Sequence, residues 1–477
     1  MSDRITDLPD WVAYHILSFL AVTDLTRFGC VSKRCRQLYL STPSLNFDGF
    51  PDAHIVSCEK RLELLSSLDR FLLMYRGVNN IQRFRIYWDD LLLNASSSFR
   101  QDAVFRMMTW IHNAVSCNVE VLEIFVHIII DPPRTLLPSS VFLCRSLRSL
   151  SISMCYNILK SPSLTSSSNL ECLTLSSVTI EDEEIFKWIS CSCKCIKELH
   201  LENVSGSSVT IESSSLRLFS FLNPNHSSRY CNLSISGEKL EEILIDWGFD
   251  STCSKLLNIH APNLKYLKWL GNLLFHQNFG KLMCLKKAEL FLKPKADDYS
   301  LSSEVLCIIN SAEALILSKE ITMALLKGGF IPGLLENVSH LSINIGSWLD
   351  IILPQMVSIF GRMNNLSSLN IMSDILFLHP ITDCCGFNMG YWRLQNFPFI
   401  HQLKEVTIEL SNGSNGVQFA KYILEHAGNL KEMKVVYSLE QSKAIAKLKK
   451  SKRASKIATV VFEEDKFRMS IRRSFHL

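Results

Sequence analysis

Three cysteines at alternate positions, Cys191, Cys193 and Cys195, are the most metal-like cluster in this 477-residue chain. Zinc sites space cysteines by two to four residues and add a second pair or a histidine. Alternation at every second residue fits a metal poorly, and no matching pair follows, so the cluster reads as a junction running into Ile196. Cys384 and Cys385, with His379 and His401 nearby, suggest a reactive thiol or a ligand set. Adjacent cysteines rarely share one ion, and Phe387, Tyr391, Trp392 and Phe397 make packed aromatics the better account of that stretch. No glycine loop that could cradle phosphate and no local Ser, His and Asp signature is present. The thirteen histidines are scattered singly. The expectation is a non-catalytic protein with no metal and no cofactor.

If the chain does no chemistry, its elements must present surface. Hydrophobic residues make up 47% of it, enough to bury cores in two to four domains. A net charge of +4 argues against a dedicated nucleic-acid binder. Sixteen scattered cysteines without a disulfide framework suit a reducing compartment. The polar start is not a signal peptide. The longest apolar run, near Val119 to Ile130, includes Glu120, Glu123 and His127 and is too short to span a bilayer. The expected location is cytoplasmic and/or nuclear, with no membrane partner. The basic run Lys447 to Arg453 is read as a nuclear-import signal or as a solvated loop before a final strand over Ile457 to Phe462.

Beyond residue 80 one pattern dominates: apolar-x-x-apolar-x-apolar. It begins with Ile81/Phe84/Ile86, Val119/Leu122/Ile124 and Leu147/Leu150/Ile152 and continues to Leu430/Met433/Val435. From Leu147 to Leu285 the intervals are 23, 26, 20, 24, 24 and 21 residues, within the leucine-rich-repeat range of about 20 to 29. One such strand cannot bury its apolar side chains alone. Stacked neighbours form a parallel sheet over a continuous core, a horseshoe-like α/β solenoid. Two intervals are long. One holds a helical pattern with Phe105, Met108 and Ile111; the other holds the aromatic-rich stretch before Leu403. A helix around Leu62, Leu65, Leu68, Leu72 and Tyr75 is expected to pack on both of its neighbours.

The first forty residues differ in kind. Pro9 suits a helix's first turn. Val12, Ile16 and Leu20 recur at helical spacing. Thr23 or Asp24 is expected to cap a second helix carrying Leu25 and Phe28, and Ser32 a third carrying Cys35 and Leu38. Three short helices bury little apolar surface, so such a module is a candidate for docking on a partner.

Leu8-Pro9, then Ile16-Leu17-Ser18 and Leu20, then Val31-Ser32-Lys33-Arg34, Arg36 and Leu38 resemble the F-box. Cys35 stands where that family usually has Trp, and Ala21 where Pro is common. Trp110-Ile111, Leu137 to Phe142 before Leu147, Leu403 to Ile408, and Phe419 to Lys431 resemble the plant F-box/leucine-rich-repeat family and its C-terminal FBD region. The resemblance implies a substrate-recognition subunit of a ubiquitin ligase. A Skp-type adaptor, and through it a cullin, would be held by Leu8, Pro9, Val12, Ile16, Leu17, Leu20, Val31, Ser32, Lys33 and Arg34. The loss of apolar area at Cys35 would lower adaptor affinity. The expected division is 1–45 F-box, 46–80 helical linker, 81–395 repeat array and 396–477 FBD-type α/β cap.

Alternation along the repeat strands places Glu198, His200, Glu202, Glu242 and Asp246 on the concave face. There they would receive a basic segment of an unidentified protein target, with Trp247 and Tyr266 as apolar anchors. The alternatives are a leucine-rich-repeat scaffold or ligand sensor that takes no part in ubiquitin transfer.

Overall fold

The computed structural model describes residues 8–48, 63, 65–66, 68–72, 81–89, 97–127, 137–162, 168–224, 231–248, 255–273, 276–293, 303–327, 335–373 and 381–465. It divides into two compact units, 1–261 and 262–477.

The first unit opens with α1 (Asp10–Leu17), α2 (Val22–Gly29) and α3 (Lys33–Ser41). Pro9 stands one residue earlier than expected, at the N-cap, where its carbonyl accepts from the Val12 and Ala13 N–H groups at 3.0 and 3.1 Å. Neither Thr23 nor Asp24 caps α2; Ala21 is its N-cap and gives no side-chain bond. Ser32 does cap α3, its hydroxyl accepting from Cys35 N–H at 3.0 Å. Gly29 lies against Tyr39, and a Cβ there would stand 2.9 Å from the ring, so a larger residue would force the two helices apart.

A parallel sheet follows. Its strands are β1 (Ser44–Phe47), β2 (Arg83–Asp89), β3 (Val121–His127), β4 (Ser149–Ser153), β5 (Cys172–Ser176) and β6 (Glu198–Glu202). Then come β8 (Leu218–Asn223) and β10 (Glu242–Trp247). Register places Leu45, Phe84, Leu122, Leu150, Leu173, Leu199, Phe219 and Ile243 in one row, and every member is buried. Burying a side chain of this size contributes about 1.5–3 kcal/mol, so the rows account for the repeat pattern. The sheet begins at β1, earlier than the expected residue 81.

A second parallel sheet joins β7 (Ser208–Glu212), β9 (Asn232–Ser236) and β11 (Leu256–His260). Its buried pairs are Val209/Ile211, Leu233/Ile235 and Leu257/Ile259. Helix α5 (Glu184–Ser192) packs beside β7, where Ser190 Oγ accepts from Glu212 N–H at 3.1 Å. Along this stretch, strands replace the repeat helices.

The long insertion before β3 forms α4 (Ser97–Ser116). It buries Met107, Trp110, Ile111 and Ala114 at helical spacing, whereas Phe105 is exposed. The helical residues among 63–72 bury Leu65, Leu68, Phe71 and Leu72. Phe71 meets Tyr39 of α3 at 5.2 Å between ring centroids. Asp69 accepts from Trp110 Nε1 at 2.6 Å and pairs with Arg106. This helix therefore touches both its neighbours; Leu62 and Tyr75 lie outside the described residues.

The second unit continues the pattern with β12 (Tyr266–Asn272), β14 (Lys287–Lys293), β15 (Ala314–Leu317) and β16 (His340–Asn344), the short β13 (His276–Asn278) lying between β12 and β14 in the chain. These lead into β17 (Ser368–Met372), β18 (Glu405–Glu409), β19 (Glu432–Tyr437) and β20 (Thr459–Glu464), all parallel in that order. β18 to β20 extend the same sheet. The aromatic stretch supplies core: Trp392 packs edge-on to Phe419 at 4.9 Å, and Phe397 stacks on Phe399 at 5.5 Å. Cys384 is buried and Cys385 exposed; His401 is exposed, and His379 lies outside the described residues.

Candidate functional site

Two surfaces of the first unit stand out. On α1, Ala13 and Leu17 face inward, 0% and 2% exposed. Around the helix from them, Trp11 is 74% exposed and Ile16 41%; Phe19, just beyond α1, is 73% exposed, and Val31, between α2 and α3, is 68%. His15 meets Phe19 edge-on at 5.2 Å. Leu8, Val12 and Leu20 are half-buried and Pro9 is exposed. Large apolar side chains at this spacing, left in water, are unusual unless something covers them.

The expected docking residues separate into two groups here. Leu8, Pro9, Val12, Ile16, Leu20, Val31 and Lys33 retain exposed surface. Leu17 is interior, Ser32 is engaged as a cap, and Arg34 pairs with Asp10. Cys35 is wholly buried, so its side chain fills the module's own core and cannot offer contact area. Trp11 and Phe19, which stand between the residues of the motif, add the largest exposed rings to this group.

The second surface is the outward side of the sheet. At the β2–β3 end, Arg83 forks onto Glu123 at 2.8–3.1 Å, Arg85 lies over Phe125 at 5.5 Å, and Tyr87 meets His127 at 6.0 Å. Ser149, Ser151, Thr174 and Ser176 occupy the middle. The β6–β10 end is acidic. Register aligns Glu198, Leu218 and Glu242 in one row and Glu202, Leu222 and Asp246 in another. Glu202 Oε2 accepts from Ser176 Oγ at 3.0 Å. His200 Nε2 stands 3.6 Å from Glu198 Oε2, and Cys172 Sγ lies 3.9 Å from the same oxygen. Burial, and then the Glu198 carboxylate, pushes the Cys172 thiol above its ordinary pKa.

Trp247 is misplaced as an anchor. Glu242, Leu244 and Asp246 face outward, so the next residue turns inward. Its ring is 1% exposed, edge-on to Phe221 at 5.8 Å with the Lys255 ammonium over it. Half-buried Leu218, Leu222 and Leu244 are the apolar surface of the acidic end. Tyr266 belongs to the second unit, where it is half-buried with the Lys287 ammonium 5.2 Å from its ring.

The three alternating cysteines do not converge. Cys191 and Cys195 are exposed, whereas Cys193 is buried and its pKa is pushed up to about 12 by that burial. No described helix is long and apolar enough to cross a membrane.

Parallel strands with this repeat, joined by helices, define an α/β leucine-rich-repeat protein. Residues 107–292 match the family model described as FBD-associated F-box protein At5g56370, LRR repeats. The putative F-box/FBD/LRR-repeat protein At5g44950 of Arabidopsis thaliana is 24% identical over 90% of this chain and 91% of its own length. The putative F-box/FBD/LRR-repeat protein At4g03220 of the same plant is 27% identical over 64% of this chain and 58% of its own. Among solved structures, Leptospira interrogans LRR protein LIC12759 is 15% identical with a TM-score of 0.33, covering 73% of this chain and 92% of its own; so slight a likeness carries no weight. These likenesses support the resemblance of the chain to plant F-box/leucine-rich-repeat proteins.

Proposed function

We propose that the protein is a non-catalytic substrate receptor of a Skp–cullin–F-box ubiquitin ligase, working in the cytoplasm and/or nucleus. The supporting observation is the large apolar side chains left in water by the three-helix module: Trp11 and Ile16 on α1, Phe19 just after it, and Val31 before α3. At about 25 cal/mol per Å2, covering it with an adaptor helix returns hydrophobic stabilisation that the small module cannot obtain alone. A target protein is held on the outward side of the sheet. Glu202, Glu242 and Asp246 receive basic side chains there, with Glu198 and His200 beside them on the same face, and Leu218, Leu222 and Leu244 supply the apolar contact. The receptor's contribution is proximity: holding a target lysine near a ubiquitin thioester raises its effective concentration.

Co-purification with a Skp-type adaptor is the test. Wild-type protein is expected to bind, and Leu8→Ala with Pro9→Ala, or Trp11→Ala with Phe19→Ala, to lose the adaptor while staying folded. Failure of the wild type to bind any Skp-type adaptor would overturn the ligase role in favour of a scaffold or ligand sensor.

A further inference from the structure

We infer that Cys172, Glu198 and His200 form a binding site for one zinc-class divalent cation on the outward side of the first unit's sheet. Cys172 and Glu198 are register partners on adjacent parallel strands. His200 lies two residues beyond Glu198 and therefore on the same side. Among the described residues these three are the one group of Cys, His and carboxylate whose ligand atoms converge, all within 4.8 Å of one another. The sulfur-to-carboxylate and imidazole-to-carboxylate distances are 3.9 and 3.6 Å. A tetrahedral ion with bonds of about 2.0–2.3 Å holds its ligand atoms roughly 3.3–3.8 Å apart, so side-chain rotation alone can close the set.

The donor chemistry selects the ion. One thiolate, one imidazole and one carboxylate suit zinc, whereas calcium and magnesium take oxygen ligands. Ser149, the register partner of Cys172 on β4, and Thr174, two residues along β5, place hydroxyl side chains on the same side. Three protein ligands leave a fourth position open to water. The site needs no ubiquitin chemistry and is separate from the α1 surface, so it can fail or stand without the ligase role.

Metal-free full-length protein titrated with Co2+ provides the readout. The wild type is expected to develop a thiolate-to-cobalt charge-transfer band that saturates at one equivalent and is displaced by Zn2+. Cys172→Ser and His200→Gln should abolish it, with far-UV circular dichroism unchanged. Cys191→Ser with Cys195→Ser should retain it. Glu198→Gln, of the same shape, should weaken binding and provides a test if the cysteine variant does not fold. No band in the wild type at saturating Co2+, or an undiminished band in Cys172→Ser, His200→Gln and Glu198→Gln, would overturn the assignment.

Discussion

At the scale of single residues, α1 separates structural side chains from available ones. Leu17 is 2% exposed, and Leu17→Ala should cost about 2–5 kcal/mol through lost burial and a cavity. Trp11→Ala and Phe19→Ala remove more atoms but should each change stability by about 0.5 kcal/mol or less, because both rings already stand in water. Chemical denaturation of the three variants checks this, and a large cost at Trp11 would show that its ring is packed. Glu289 offers a second residue-scale test. Burial alone would raise its pKa, but Lys287 at 2.6 Å, the Tyr266 hydroxyl and Lys268 outweigh it and hold the carboxyl below its ordinary range. Its stabilisation is therefore present above the unfolded value of about 4.3 and is lost as pH falls through the lower folded value. Wild-type protein should lose its stability advantage over Glu289→Gln below about pH 4.3; a difference that stays constant through that window would refute the linkage.

At the scale of elements, strand order along the main sheets was legible because each strand repeats the same apolar spacing. The second sheet follows the same logic with its own series. Val209, Leu233 and Leu257 recur every 24 residues, each two positions before an isoleucine, Ile211, Ile235 and Ile259. Two strands share each interval here, so the dominant series alone leaves this second one as helix or loop. Leu233→Ala should cost about as much as Leu199→Ala, roughly 2–5 kcal/mol, since both are wholly buried in strands. A cost below about 0.5 kcal/mol would mark residues 232–236 as surface rather than core. The candidate surfaces were harder to read than the strands. Alternation identified Glu198 and Glu242 correctly as outward, and applied one residue further it would have turned Trp247 inward. The convergence of Cys172 on Glu198 and His200 depends on register between strands more than twenty residues apart, which local spacing does not reveal. Cys35 illustrates the same limit: the motif marks its place, but only packing shows that it lies inside the module.

At the scale of the molecule, net charge conceals arrangement. The chain carries +4, yet the β6–β10 end of the first unit's sheet presents Glu198, Glu202, Glu242 and Asp246 around half-buried leucines. A basic target segment approaching that surface meets a local field opposite in sign to the whole chain's net charge. Such steering acts mainly on association rate and is screened over about 8–10 Å at ordinary ionic strength. Reversing charge at Glu202 and Glu242 together, Glu202→Lys with Glu242→Lys, should slow capture of a basic target at low salt and flatten its salt dependence. Adaptor binding through α1 should remain unchanged in the same variant. Surface plasmon resonance at two salt concentrations, with target and adaptor measured on the same preparation, separates these effects. Unaltered target association in the double variant would move the docking surface elsewhere on the protein, with the Arg83, Arg85 and Phe125 end of the sheet as the next place to mutate.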